Sequence, residues 1–356
     1  MDEHGGNIEK ALGQYSLAEG ALIDFSANIN PLGIPYLVKR AAAKVMDCLS
    51  QYPECEYSGL RKDLASFYAV KPQNLLVDNG SVSLIYLIPR ALGLKKPLIP
   101  IPAFSEYEKA ACLSGGEVKF IRSKTDLSLD INLLLKQLKG KDSLYLANPN
   151  NPTSLLVDKK DILRILKEAK DKDVILILDE VFMEFNNSAQ EATLIGEAVK
   201  SQDLIILRSM TKFFALAGLR LGAAIAHPAL IARLKEYQPP WPVNSLAVST
   251  ARELLKDKKY IRDSYKLIQE EKTFLYSELS AFKALQVWRP SANFVFCRIR
   301  DKRRTAAGLR NRLAVKGILV RDCSNFRGLD TSFFRVAVRA RKENLKLLSS
   351  LKEVLG

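Results

Sequence analysis

Histidine is nearly absent. His4 and His227 are the only two in 356 residues, too few for most catalytic schemes built on imidazole. The five cysteines, Cys48, Cys55, Cys112, Cys297 and Cys323, are scattered, and none forms a Cys-x-x-Cys pair. Neither a zinc site nor a disulfide framework is expected from such spacing. No apolar run of about 18 residues occurs, so no membrane span is expected. The opening MDEHGGNIEK is acidic and carries glycines, unlike a secretory leader, which makes the cytoplasm the expected location. Internal repeats and low-complexity tracts are also missing. Net charge is +15, yet lysine and arginine are dispersed without an interleaved basic-aromatic stripe. That pattern suits a soluble surface or the steering of anionic substrates, and argues against a nucleic-acid partner.

What is present is a normal globular balance, with 47% hydrophobic and 26% charged residues. The length allows one large domain and a smaller one. Between residues 75 and 226, short apolar runs read as strands at 75–78, 97–101, 118–121, 143–147, 174–179, 204–207 and 221–226. Helical patterns such as 82–94 and 159–170 lie between most of them. Alternation of this kind predicts an α/β fold with a mostly parallel, doubly covered sheet. After QPPWPVN (238–244) the texture changes. A long helical region is expected over 245–281, then strands at 292–299, 318–322 and 333–338, and a closing helix over 343–354. The expected division is 46–240 as the large domain and 241–356 as a smaller α+β domain. Residues 1–45 are expected to form an arm and a helix that pack with the smaller one.

Four stretches bring chemistry to one edge of that sheet. Asp179 ends the run VILILDE and emerges at the carboxyl edge, where open α/β sheets bind ligands. There it would hold a protonated ring nitrogen, or simply cap a helix or join an ion pair. NPNNPTS (148–154) forms a turn at the same edge. The amide of Asn151 would donate to a phenolate oxygen, or serve only the turn. In VDNGSVSL (77–84), Gly80 allows close approach at a helix start and Ser81 would add a hydroxyl donor, an arrangement that suits phosphate or serves only as a strand-to-helix turn. In SMTKFFALAGLRLG (209–222), Lys212 sits between Ser209 and Arg220. A partly desolvated lysine beside a cation has a lowered pKa, which suits formation of an imine.

The order Gly-Ser turn, aromatic segment, Asn-Pro-Thr, Asp, then Ser-x-x-Lys resembles the fold type I pyridoxal-phosphate enzymes, aminotransferase class I/II, over nearly the whole chain. That resemblance implies pyridoxal 5'-phosphate as cofactor, with Lys212 forming its Schiff base and Asp179 pairing with the pyridinium nitrogen. It implies that Asn151 contacts the 3-oxygen and that Phe104 of PAFSEY stacks on the ring. Gly80, Ser81, Ser209 and Arg220 would hold the phosphate. Tyr52, in QYPECEYSGLR, matches a family tyrosine that reaches the neighbouring subunit's cofactor, implying a homodimer with shared sites.

Within the family the chain is similar to the histidinol-phosphate aminotransferase branch, and more so to the threonine-phosphate decarboxylases of cobalamin synthesis. The local matches are HGGN (4–7), IDFSANINPLG (23–33), PPWPVNSLA (239–247), RDCSNFRGL (321–329) and FFRVAVR (333–339). Phe182 stands where the aminotransferases usually carry a tyrosine. The implied reaction is decarboxylation of L-threonine O-3-phosphate to (R)-1-amino-2-propanol O-2-phosphate. L-serine O-phosphate, giving ethanolamine phosphate, is a rival substrate, because one methyl group in a pocket is worth only about 1–3 kcal/mol. A histidinol-phosphate or related aminotransferase is the alternative. Arg335 matches the family's acid-binding arginine. Arg321, His4 and Asn28 are candidates for further contacts to the phosphorylated amino acid, with an ion pair, a packing role and a turn as their plainer readings. Two positions depart from the family pattern: Ser154 replaces a glycine and Ser83 a glutamate.

Overall fold

The computed structural model describes residues 4–356 apart from 48 and 187, so Cys48 lies outside the described residues. In chain order the strands are β1 (Ile23–Asp24), β2 (Leu75–Asp78), β3 (Pro97–Ile101), β4 (Lys119–Arg122), β5 (Ser143–Ala147), β6 (Ile175–Asp179) and β7 (Leu204–Ser209). They continue as β8 (Gly222–Ala226), β9 (Leu285–Val287), β10 (Phe294–Ile299), β11 (Ile318–Leu319), β12 (Arg321–Asp322) and β13 (Phe333–Ala337).

Seven strands form one sheet in the order β2-β8-β7-β6-β5-β3-β4. From β7 to β4 every pairing is parallel, while β8 runs antiparallel to both β7 and β2. The fold is therefore α/β with a mostly parallel central sheet, the architecture that the fold type I resemblance implies. Successive residues of β6 serve opposite faces. Leu176 and Leu178 enter one apolar cluster and Ile177 the other. A strand covered on both faces has no polar side to show, which is why VILILDE is continuously apolar. Register pairs such as Ala147↔Asp179 and Asp179↔Leu207 bring the ends of β5, β6 and β7 to one edge.

Two sequence expectations change. The helical region 245–281 is two helices, Ser245–Leu254 and Lys258–Ser280. Asp257 accepts the Tyr260 N–H at 2.9 Å and starts the second one afresh. The single strand expected at 318–322 is split at Val320. β11 pairs in parallel with β1, whereas β12 opens a second sheet, β12-β13-β10-β9. The N-terminal segment is tied down by the β1–β11 pair, by contact of the helix Tyr36–Met46 with the helix Ser245–Leu254, and by Asn30. The Asn30 amide donates to Phe213 O and Ser264 Oγ, both at 2.7 Å. Cys55, Cys112, Cys297 and Cys323 are free thiols. Among the described residues no cluster fit for a metal ion occurs, and no helix is long and apolar enough to cross a membrane.

Candidate active site

One cavity lies at the carboxyl edge of the large sheet. Every candidate residue lines it except Gly80, Ser209 and Tyr52. Gly80 and Ser209 lie directly beside it, and Tyr52 does not.

The anion cradle comes from local backbone geometry. Gly80 opens the helix Gly80–Leu92 at φ +82, and a Cβ there would lie 2.5 Å from Arg220 Nη2. Gly222, at the start of β8, is as constrained. Its Cβ would fall 2.3 Å from Ser81 N and 2.6 Å from Gly80 C. Both glycines are needed for the helix start to close against Arg220 and β8. Asn79 makes no side-chain cap there, so the leading N–H groups are left to bind an anion. Ser209, buried at the end of β7, shares a 2.7 Å hydrogen bond with Thr211 Oγ1.

Lys212 follows in the short helix Met210–Phe213, and its carbonyl accepts the Asn30 N–H at 3.1 Å. Among the described residues, its Nζ has no hydrogen-bond or ion-pair partner. Burial, then the charges of Arg335 and Arg220, bring its pKa down to about 8. Asp179 is buried, which raises its carboxyl pKa. The Tyr107 hydroxyl and the Val181 N–H, at 2.9 Å, both donate to it and oppose that rise. Behind this edge, Arg208 on β7 is buried between Glu180 (2.6 Å) and Glu184 (3.0 Å), stapling β7 to the segment just after Asp179.

The other wall comes from the N-terminal segment and the second sheet. Arg335 on β13 donates from Nη1 to Asn151 Oδ1 and from Nη2 to Ser26 O at 3.4 Å. Its guanidinium lies 5.0 Å from the Phe294 ring centre. Burial brings it down to about 10, still a cation at neutral pH. Arg321 is buried, donates to Asn325 Oδ1 at 2.9 Å and lies 5.5 Å from the Phe326 ring. Asn28 is 2% exposed and its Oδ1 has no hydrogen-bond partner among the described residues, a buried acceptor of the kind that a bound ligand satisfies. His4 Nε2 is 3.1 Å from Glu106 Oε1, and its ring centre is 5.7 Å from that of Phe104. Tyr52 is 80% exposed and stacks on Trp241 at 4.6 Å, away from this chain's own cavity.

Sequence reasoning missed Tyr107, Thr211 and Phe326, which also line the cavity. Tyr107 had a signal, since it sits in the first turn of the helix Ser105–Leu113, three residues after Phe104. The arrangement suits a phosphate-bearing aldehyde with a basic ring: a free amine of lowered pKa, a glycine-floored phosphate cradle, a buried carboxylate and an aromatic wall. Arg321 and Arg335 add cationic capacity for a second, anionic molecule.

Comparison with known proteins agrees with this chemistry. The family model for aminotransferase class I and II matches residues 21–351. The threonine-phosphate decarboxylase of Salmonella typhimurium is 35% identical over 355 residues, covering 99% of this chain and 96% of that protein. The crystal structure of the histidinol-phosphate aminotransferase from Clostridium acetobutylicum superposes with a TM-score of 0.88 at 35% identity, over 94% of this chain and 99% of the other. That of the L-threonine-O-3-phosphate decarboxylase from Porphyromonas gingivalis gives 0.83 at 28% identity, over 93% and 98%. The chain belongs to the class I and II aminotransferase family of pyridoxal-phosphate-dependent enzymes.

Proposed function

We propose that the chain decarboxylates L-threonine O-3-phosphate to (R)-1-amino-2-propanol O-2-phosphate, a step of cobalamin biosynthesis. The observation that carries this reading is that two buried arginines, Arg321 and Arg335, share the cavity of Lys212 in addition to Arg220. One phosphate cradle serves the cofactor. The remaining cations match a substrate with both a carboxylate and a phosphate. The 35% identity to a threonine-phosphate decarboxylase supports the same assignment.

Lys212 would hold the cofactor's aldehyde and Asp179 its ring nitrogen, with Gly80, Ser81, Ser209 and Arg220 on its phosphate. Asn151 would face the ring oxygen and Phe104 the ring. Bound there, the cofactor supplies an electron sink for the pair released when a bond to the substrate's Cα breaks. The protein decides which bond that is. Arg335, with Arg321, His4 and Asn28, grips the two anionic ends and turns the Cα–carboxylate bond perpendicular to the ring. Binding energy from the remote phosphate is thereby used for orientation. Lys212 Nζ is the group positioned to return a proton to Cα after CO2 leaves. Phe182 offers no hydroxyl to the ring oxygen, which leaves that task to Asn151.

The test is a substrate panel on the holoenzyme. L-threonine O-3-phosphate should release CO2 without a keto acid, and L-serine O-phosphate should do so more slowly. The aminotransferase reading, which the Clostridium acetobutylicum structure favours, expects the opposite. Under it, histidinol phosphate would turn over only with a keto-acid acceptor, and no CO2 would appear. The chain is further proposed to act as a homodimer in which Tyr52 of each subunit serves the other's site, with 46–240 and 241–356 as its two domains.

A further inference from the structure

Ser154 is fully buried and sits at φ +61, a left-handed conformation that strains a serine and suits glycine. Its side-chain oxygen accepts twice. Ser154 Oγ accepts the N–H groups of Ser291 (3.1 Å) and Ala292 (2.8 Å), and its carbonyl also accepts the Ser291 N–H at 2.9 Å. On the other side Ser154 N donates to Asn150 O at 2.7 Å. The Asn150 amide in turn donates to Thr153 Oγ1 (2.9 Å) and to Pro102 O (3.1 Å), just beyond β3. The turn that carries Asn151 is thus fixed to the large sheet, and Ser154 fixes it to the segment that enters β10.

From Ala292 the chain runs directly to Phe294, whose ring lies under Arg335, and to Phe296, which pairs with Arg335 across β10 and β13. Arg335 then donates to Asn151 and closes the loop. The contacts form a ring: Asn151, Ser154, Ala292, Phe294, Arg335 and back to Asn151. Within it, among the described residues, only the Ser154 hydroxyl gives the turn a side-chain hold on 291–292.

We propose that Ser154 is a positioning residue. Its hydroxyl clamps 291–292 to the Asn151 turn and so sets the separation between Asn151, on the cofactor side, and Arg335, on the substrate side. The inference rests on the reading of Arg335 as the anion-binding arginine. The hydroxyl offsets the backbone strain by satisfying the buried Ala292 N–H, while the Ser154 carbonyl also holds the Ser291 N–H.

Ser154→Gly removes the strain and the hydroxyl, whereas Ser154→Ala removes the hydroxyl and keeps the strain. The holoenzyme's visible spectrum is titrated with L-threonine O-3-phosphate, alongside cofactor affinity and Tm. The clamp predicts that both variants raise the half-saturating substrate concentration similarly, by about tenfold. Cofactor affinity should stay within about twofold, while Tm ranks Gly above Ala. A role in stability alone predicts that substrate affinity follows Tm, with the glycine variant close to wild type, and that result overturns the proposal. If wild-type protein ignores the threonine ester, the substrate reading fails instead. The same comparison is then read with histidinol phosphate, against the same two outcomes.

Discussion

Lys212 is an amine surrounded by cations, and its chemistry follows from that. Its pKa near 8, set by burial and by Arg335 and Arg220, leaves about a quarter of the amine neutral at pH 7.5, against about a thousandth for an ordinary lysine. Raising the pH through 8 removes the proton and frees the nucleophile. Capture of pyridoxal 5'-phosphate by apo-protein should therefore accelerate with pH and level off above about pH 9, measured by stopped-flow absorbance. Lys212→Ala should bind the cofactor without the yellow colour and give no borohydride-stable adduct on mass spectrometry. A midpoint near 10.5 would mean that the amine is solvated. Lys212, Asp179 and Asn151 were legible in the sequence because each ends or follows a buried strand at the same edge. Tyr107 was marked only by its place three residues after Phe104, and its bond to Asp179, 72 residues away, leaves no trace in local spacing. The Arg335–Asn151 bond, spanning 184 residues, was hidden for the same reason.

At the scale of elements, strands covered on both faces announced themselves. Leu75–Asp78, Pro97–Ile101 and Ser143–Ala147 are buried at every position, so their ends coincide with the ends of apolar runs. Where the pattern carried no such boundary, reading failed. The break before Lys258 has no glycine or proline, only Asp257 acting as a cap. The split at Val320 is a change of sheet that a continuous apolar run conceals. Gly222 shows how two elements meet at the site, since β8 and the helix Gly80–Leu92 are in contact with no room for a methyl group. Gly222→Ala should lower stability by about 1–3 kcal/mol in chemical denaturation. It should also weaken cofactor binding at least tenfold, because the phosphate-facing helix start must retreat. A variant with full cofactor affinity would show that the helix start does not form the cradle.

At the scale of the whole molecule, several large apolar side chains between residues 36 and 52 are exposed. Tyr36 is 71% exposed, Met46 62% and Leu49 55%, and Tyr52 with Trp241 adds a stacked aromatic pair. Isolated exposed hydrophobics are ordinary, but several large ones from neighbouring stretches of chain invite a second surface. Sedimentation should therefore report twice the 39.8 kDa chain mass. Tyr52, which sits outside its own chain's cavity, has a genetic consequence. Under the proposed shared-site dimer, a polypeptide lacking Lys212 and another lacking Tyr52 would each be crippled, yet in a mixed pair the second would keep its amine and borrow the first one's tyrosine. Co-expression of Lys212→Ala with Tyr52→Ala should restore about a quarter of normal turnover, since half of randomly assorted pairs are mixed and each regains one of its two centres. Intersubunit complementation of this kind would show that the smallest catalytic unit contains two chains.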